Sequence, residues 1–294
     1  MLVPYLRLKD IQNCGIKENV RQLILLSQED VMANALGKID HRIAYRMATL
    51  PGTEFMFEKS ILEQYPRAII RAAEYRTDLA LEVVAKAIAL KHDYPRADIQ
   101  VFNQPFATIL RYTMEGFHSI WFDCCGPLRI ARGCHGYKGS PDAFTTIEMA
   151  FQNEHLFDPA HNEGKPGQFF ITVSGHRDNT KLLAQLARRH GMQWKPTCRE
   201  AINLKSQRYN RFARAGALIQ KIQDAAATQG WYAVPCLSVL YNSRTNNHEH
   251  PMCVVGLNVF KPESAEHRLQ LEQDMEFCRG RVLEDTIDLN ALPA

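Results

Sequence analysis

The chain has no Cys-x-x-Cys pair, although it carries eight cysteines in 294 residues. Their irregular spacing and mostly apolar neighbours exclude a disulfide framework and mark most of them as reduced core residues. It also lacks a basic stretch followed by an apolar run at Met1-Leu2-Val3-Pro4-Tyr5, and it has no segment apolar and uncharged enough to span a bilayer. No membrane partner is expected, and the cytoplasm is the default compartment. Charge of one sign is scarce as well: the formal net charge is +3, which excludes a polycation. A nucleic-acid surface therefore has to come from local clusters such as Arg67, Arg71 and Arg76, or the run from Lys205 to Arg214. No internal repeat and no low-complexity tract is present. Cys134-His135, His248-Glu249-His250 and Cys253 invite a metal, but without a paired knuckle, and with the histidines in a hairpin turn, none is expected.

The size and apolar content allow one large core. The chain is expected to divide into an N-terminal helical extension (1–40), an α/β domain (41–262) and a charged C-terminal tail (263–294). The organising stretch is Phe117 to Leu128. Ile120, Trp121 and Phe122 read as a short buried strand that stops at Asp123, then Cys124, Cys125, Gly126 and Pro127. A carboxylate at the carboxyl end of a buried strand is costly unless something meets it, and that edge is where open α/β sheets bind ligands.

In chain order, 16–36 carries apolar residues at helical spacing and is expected to cap the domain rather than enter its core. Ile43 to Leu50 reads as a first strand ending at Pro51-Gly52, followed by a helix over 54–65 with Phe55, Phe57, Ile61 and Leu62 as its apolar set. Ala68 to Ala73 is a second strand closed by Glu74. A helix from Thr77 to about His92 turns Leu79, Leu81, Val83, Val84, Ala87, Ile88 and Leu90 toward the sheet. Asp98 to Phe102 is a third strand finished by Asn103, and the strand ending in Asp123 is the fourth. A glycine-rich stretch, a helix capped by Ser140 or Asp142, a fifth strand over 168–174 and a helix starting near Asn179 follow. A basic helical region runs from about Arg199 to Ala227. Two apolar runs, 231–241 and 252–260, joined by a polar turn over 242–251, make a hairpin, and the tail beyond Pro262 is helical to about Arg281 and peripheral.

Five strands alternating with helices, with polar residues at successive strand ends and a terminal hairpin, resemble the class I S-adenosylmethionine-dependent methyltransferase family over Ile43 to Phe260. The resemblance implies a three-layer, Rossmann-like α/β fold with a mostly parallel sheet ending in an antiparallel hairpin. It implies S-adenosylmethionine as cofactor, with Glu74 at the ribose, Asn103 near the adenine, and Leu50, Pro51 and Gly52 beside the rest. Asp123, Cys124, Cys125 and Gly126 occupy the catalytic or substrate-orienting position. This sequence departs from the family pattern at the first strand, where an acid and a glycine-rich turn are replaced by Ala48-Thr49-Leu50-Pro51-Gly52. It also lacks the Asn/Asp-Pro-Pro-aromatic form, so the acceptor atom is not given.

For Glu74, the competing reading is a surface pair with Arg71 or Arg76. For Cys124 and Cys125, small packing residues are favoured over a thiol nucleophile. Arg129, Arg132, Tyr137, Lys138, His176 and Arg177 would rim the same edge with cations and a stacking ring, with Trp121 as a second ring, fitting DNA or RNA phosphates and bases. The expected function is methylation of a nucleic acid. The rival is a non-catalytic protein of the same fold that binds nucleic acid or a protein partner.

Overall fold

The computed structural model describes residues 16–36, 44–52, 54–123, 142–157, 166–174, 207–245 and 248–289. The expected helix from Asn179, the glycine-rich stretch and the start of the basic helical region lie outside them.

Five strands alternate with helices: β1 (Arg46–Thr49), β2 (Ile69–Ala73), β3 (Asp98–Phe102), β4 (Ser119–Asp123) and β5 (Gly167–Ser174). They pair in parallel as β3-β2-β1-β4-β5. The chain thus moves outward from β1 through β2 to β3, then crosses back to lay β4 on the other side of β1. β6 (Tyr232–Thr245) and β7 (His248–Phe260) form the hairpin, and β7 inserts antiparallel between β5 and β6. This is the mostly parallel sheet with an antiparallel end that the sequence led us to expect.

Side-chain alternation splits the core into two layers. In β4 and β5, Ile120, Phe122, Phe169, Ile171 and Val173 face one way, toward α4 (Phe106–Tyr112), α5 (Ala143–Ala150) and α6 (Gln207–Ala227). Trp121 and Phe170 face the other way, toward α1 (Ile16–Leu36), α2 (Met56–Gln64) and α3 (Thr77–Asp93). The Asp142 side chain accepts a 2.8 Å bond from the Thr145 N–H and starts α5, as expected.

Several elements differ from expectation. Val20, Leu23, Ile24 and Leu25 of α1 are buried with Tyr45 and Met47, so this helix enters the core instead of covering it. In α3 only Ala80, Val83, Ala87 and Leu90 are buried. Leu81, Val84 and Ile88, expected to face the sheet, point outward because one helix can turn only one stripe inward. The expected polar turn over 242–251 is ladder where it is described: Asn242 to Thr245 pair with Pro251 to His248. Backbone pairing continues there because the ladder bonds are made by main-chain groups, whatever the side chains. The segment beyond Pro262 is not peripheral. It forms α7 (Ala265–Glu284), whose Leu271 and Cys278 pack on Val234, and β8 (Ile287–Asp288), which pairs with β6 at the sheet edge. Arg214, the last cation of the expected basic run, is buried.

Arg71 on β2 is also buried, and its guanidinium donates to Asp98 at 2.9 Å and to Glu115 at 2.7 and 3.1 Å. Both carboxylates are partly open to solvent, which reduces their cost when left alone. Arg71→Ala is expected to cost roughly 2 kcal/mol in urea unfolding. A loss below about 0.5 kcal/mol, the size of an ordinary surface change, would show that the pairing adds nothing to stability.

Candidate functional site

Where a sheet reverses its winding direction, the loops leaving the two central strands diverge and open a crevice at their carboxyl ends. Here that point lies between β1 and β4, which pair directly through Met47 to Thr49. A pocket of about 170 Å³ occupies it. Leu50 and Gly52 after β1, Trp121 and Asp123 of β4, Phe57 and Glu58 of α2, Arg21 of α1, and Tyr241 and Met252 of the hairpin line this pocket.

The turn after β1 is shaped by its own sequence. Pro51 has no N–H to offer, and the Gly52 carbonyl accepts a 3.1 Å bond from the Phe55 N–H. Phe55 itself sits at φ 51° and ψ 35°, a left-handed conformation that disfavours a bulky residue and is held by complete burial of its ring. A Cβ built on Gly52 meets nothing within 4 Å, so the glycine faces open space in the pocket wall.

Trp121, expected as a stacking ring, is instead part of the wall. It is buried, its indole N–H donates to Thr172 Oγ1 at 3.1 Å, and it meets Phe57 edge-on with ring centroids 4.4 Å apart. Glu58 was not anticipated. It lies in the first turn of α2, buried, and its carboxylate accepts a 2.8 Å hydrogen bond from Thr49 Oγ1. Burial holds the Glu58 carboxyl above the ordinary range; the Thr49 hydrogen bond and the Arg21 charge pull it down, and the negative charge of Asp123 pushes it up. A signal was present in the sequence: Glu58 stands three and four residues before Ile61 and Leu62, on the apolar face of its helix.

Sheet order sets the other candidates in a row along the same edge. Asn103 follows β3, Glu74 follows β2, the Leu50 to Gly52 turn follows β1, and Asp123 ends β4. With about 4.8 Å between neighbouring strands, the row extends over roughly 14 Å. Glu74 makes neither of the side-chain pairs considered for it: Arg71 is taken by Asp98 and Glu115, and Arg76 by Asp78 at 2.5 Å. Its Oε1 accepts the Arg76 backbone N–H at 2.8 Å, which sets the carboxylate at the mouth of the β2 loop. Asn103 is exposed. The candidates Cys124, Cys125, Gly126, Arg129, Arg132, Tyr137, Lys138, His176 and Arg177 lie outside the described residues. The segments that carry them leave β4 and β5, which are adjacent and parallel.

Among the described residues, no three His, Cys, Asp or Glu side chains come together as metal ligands, and no helix is long and apolar enough to cross a membrane.

Strand order and crevice together define a doubly wound α/β protein with a carboxylate-lined pocket at its switch point. No protein-family model and no curated protein matches the chain in sequence. Solved structures with a similar fold include a SAM-dependent methyltransferase from Agrobacterium tumefaciens, 7% identical with a TM-score of 0.43, the match covering 81% of this chain and 62% of that one. A magnesium protoporphyrin IX methyltransferase from Synechocystis PCC 6803, solved with bound SAM, is 9% identical with a TM-score of 0.39, covering 85% of this chain and 86% of that one. A probable spermidine synthase from Corynebacterium glutamicum is 9% identical with a TM-score of 0.40, covering 93% of this chain and 81% of that one. At such identities and TM-scores these are resemblances only, and the class of the fold rests on the strand order.

Proposed function

We propose that the protein is an S-adenosylmethionine-dependent methyltransferase and that its acceptor is a nucleic acid. The observation that carries this is the row of Asn103, Glu74, the Leu50 to Gly52 turn and Asp123 at the carboxyl ends of β3, β2, β1 and β4, in that spatial order. An adenosine carrying an amino-acid arm needs an amide near its base, a carboxylate near its two ribose hydroxyls and an open turn beside the arm. The residues present fit that demand. Glu74 Oε1 is bonded to a backbone N–H, which leaves Oε2 to accept from a ribose hydroxyl, and the Cβ position of Gly52 is open.

When bound, the cofactor supplies an already activated methyl group, so the protein has to position the acceptor and manage its proton. Asp123 at the pocket wall accepts a hydrogen bond from the acceptor N–H or O–H and holds it in line. Phe57, Trp121 and Tyr241 keep water from the inner end of the pocket. For the nucleic acid, support comes from the cationic residues Arg129, Arg132, Lys138, His176 and Arg177, carried on segments that leave the adjacent strands β4 and β5.

A second reading has its own observation. The turn after β1 has one glycine, a proline without a donor and a left-handed phenylalanine, which suits a protein that kept the fold and binds nucleic acid or a partner without catalysis. Calorimetric titration with S-adenosylmethionine and its demethylated product separates the two. Micromolar binding is expected, weakened about 10- to 100-fold by Glu74→Ala through loss of charge-assisted hydrogen bonds and nearly unchanged by Asp123→Ala. No heat and no thermal stabilisation at millimolar ligand would rule out the methyltransferase.

A further inference from the structure

Glu58 is 2% exposed in the wall of the switch-point pocket, which it shares with Phe57, Trp121, Tyr241 and Met252. Its carboxylate accepts from the Thr49 hydroxyl, and no cationic side chain among the described residues lies within ion-pair distance of it. The other charges around it are matched or stand apart. Arg21 of α1 pairs with Glu18 at 3.0 Å, and Glu54, just before α2, pairs with Lys86 at 3.1 Å. Lys17 of α1 is exposed, and Asp123 at the end of β4 adds a second acid to the wall.

A buried acid is costly unless it stays neutral or meets a cation. Aromatic rings and a thioether favour the same kind of guest, because ring faces attract positive charge and soft apolar groups pack well on sulfur. A metal ion fits poorly, since no three His, Cys, Asp or Glu side chains come together among the described residues. What suits the wall is a cation clothed in carbon: a sulfonium or a methylated ammonium.

We propose that Glu58 makes this pocket an onium site, selecting the positively charged sulfonium donor over its neutral demethylated product. The identity of the donor rests on the methyltransferase reading; the preference for an onium centre does not. Methyl transfer breaks the carbon–sulfur bond and leaves its electron pair on sulfur, so the product is an uncharged thioether. The acceptor's lone pair forms the new bond, and its proton leaves to water by way of Asp123. The charge that Glu58 meets is thereby lost on turnover, which favours exchange of product for donor.

Burial holds the Glu58 carboxyl above the ordinary range, so it keeps its proton at a pH where an exposed carboxylate has lost it. A cation beside it favours the charged form. The donor should therefore release that proton on binding, and bind more tightly as pH rises toward the folded-state value, whereas the product should do neither.

Calorimetric titration of the full chain at about pH 6, where the amino group of the arm is protonated in both ligands, tests this in two buffers of different ionisation enthalpy. The wild type is expected to bind S-adenosylmethionine about 10-fold more tightly than the demethylated product, and to release protons with the former only. Glu58→Gln should narrow the gap to about 2-fold or less and abolish the release, while both ligands still bind. Equal binding of the two by the wild type would overturn the proposal and leave the methyltransferase reading standing. So would a gap or a proton release that survives in Glu58→Gln. If neither ligand binds, the methyltransferase reading fails and trimethylsulfonium decides the onium site by itself. At about 50 mM it should raise the melting temperature of the wild type but not of Glu58→Gln, and dimethyl sulfide should raise neither. No rise with trimethylsulfonium would then overturn the site as well.

Discussion

Phe170→Ala is expected to lower stability by about 3–5 kcal/mol, a loss on the order of 10 °C in melting temperature for a domain of this size. Phe170 is fully buried at the centre of β5, facing the layer built by α1, α2 and α3. Its cross-strand partner on β7 is Gly256. A Cβ built on Gly256 would lie 2.6 and 2.7 Å from Phe170 ring atoms and 3.2 Å from Leu237 Cβ, so the ring occupies the space that another residue would use for its side chain. Gly256→Ala alone should therefore cost about 1–3 kcal/mol through overpacking. With the ring removed, the new methyl enters the cavity, and the double variant should be more stable than the sum of the single losses by about 1 kcal/mol or more. Guanidinium unfolding of the four proteins measures this coupling. Strict additivity would mean that the ring does not lie over the glycine.

Glu58→Gln should make the protein more stable at neutral and alkaline pH, on the order of 2 kcal/mol, while leaving it nearly unchanged in acid. Burial raises the folded-state pKa of Glu58 above its unfolded value. As pH rises, the unfolded chain releases this proton first, so the folded state binds more protons between the two values. The stability associated with the protonated acid is therefore full below the unfolded pKa and is lost as pH climbs through the folded one. Glutamine keeps an oxygen to accept from Thr49 Oγ1 and carries no charge to bury. Melting temperatures of both proteins across that window should coincide at low pH and separate as pH increases. Curves that stay parallel would show that Glu58 is solvated in the folded protein. An acid kept in a pocket wall at a cost to stability is a mark of a site shaped by function, and the same variant belongs in the cofactor titration.

Much of this could be read before folding. The alternation of strands and helices over Ile43 to Phe260, the hairpin at its end, and the polar residues that close β2, β3 and β4 follow from local composition: apolar β-rich runs, helical spacing between them, and breakers such as Pro51-Gly52 and Pro105 at their ends. Those signals reside in neighbouring residues, so the sequence by itself determined them. It did not determine which stripe of α3 turns inward, because Leu81, Val84 and Ile88 satisfy a helical period as well as Val83, Ala87 and Leu90 do. Nor could it tell that Glu58 is buried against Thr49, that Trp121 belongs to the wall, or that Ile287 and Asp288 return to pair with β6. Each of these depends on a partner that lies elsewhere in the chain. Burial and strand pairing are properties of the assembled sheet, and only the tertiary structure decided them.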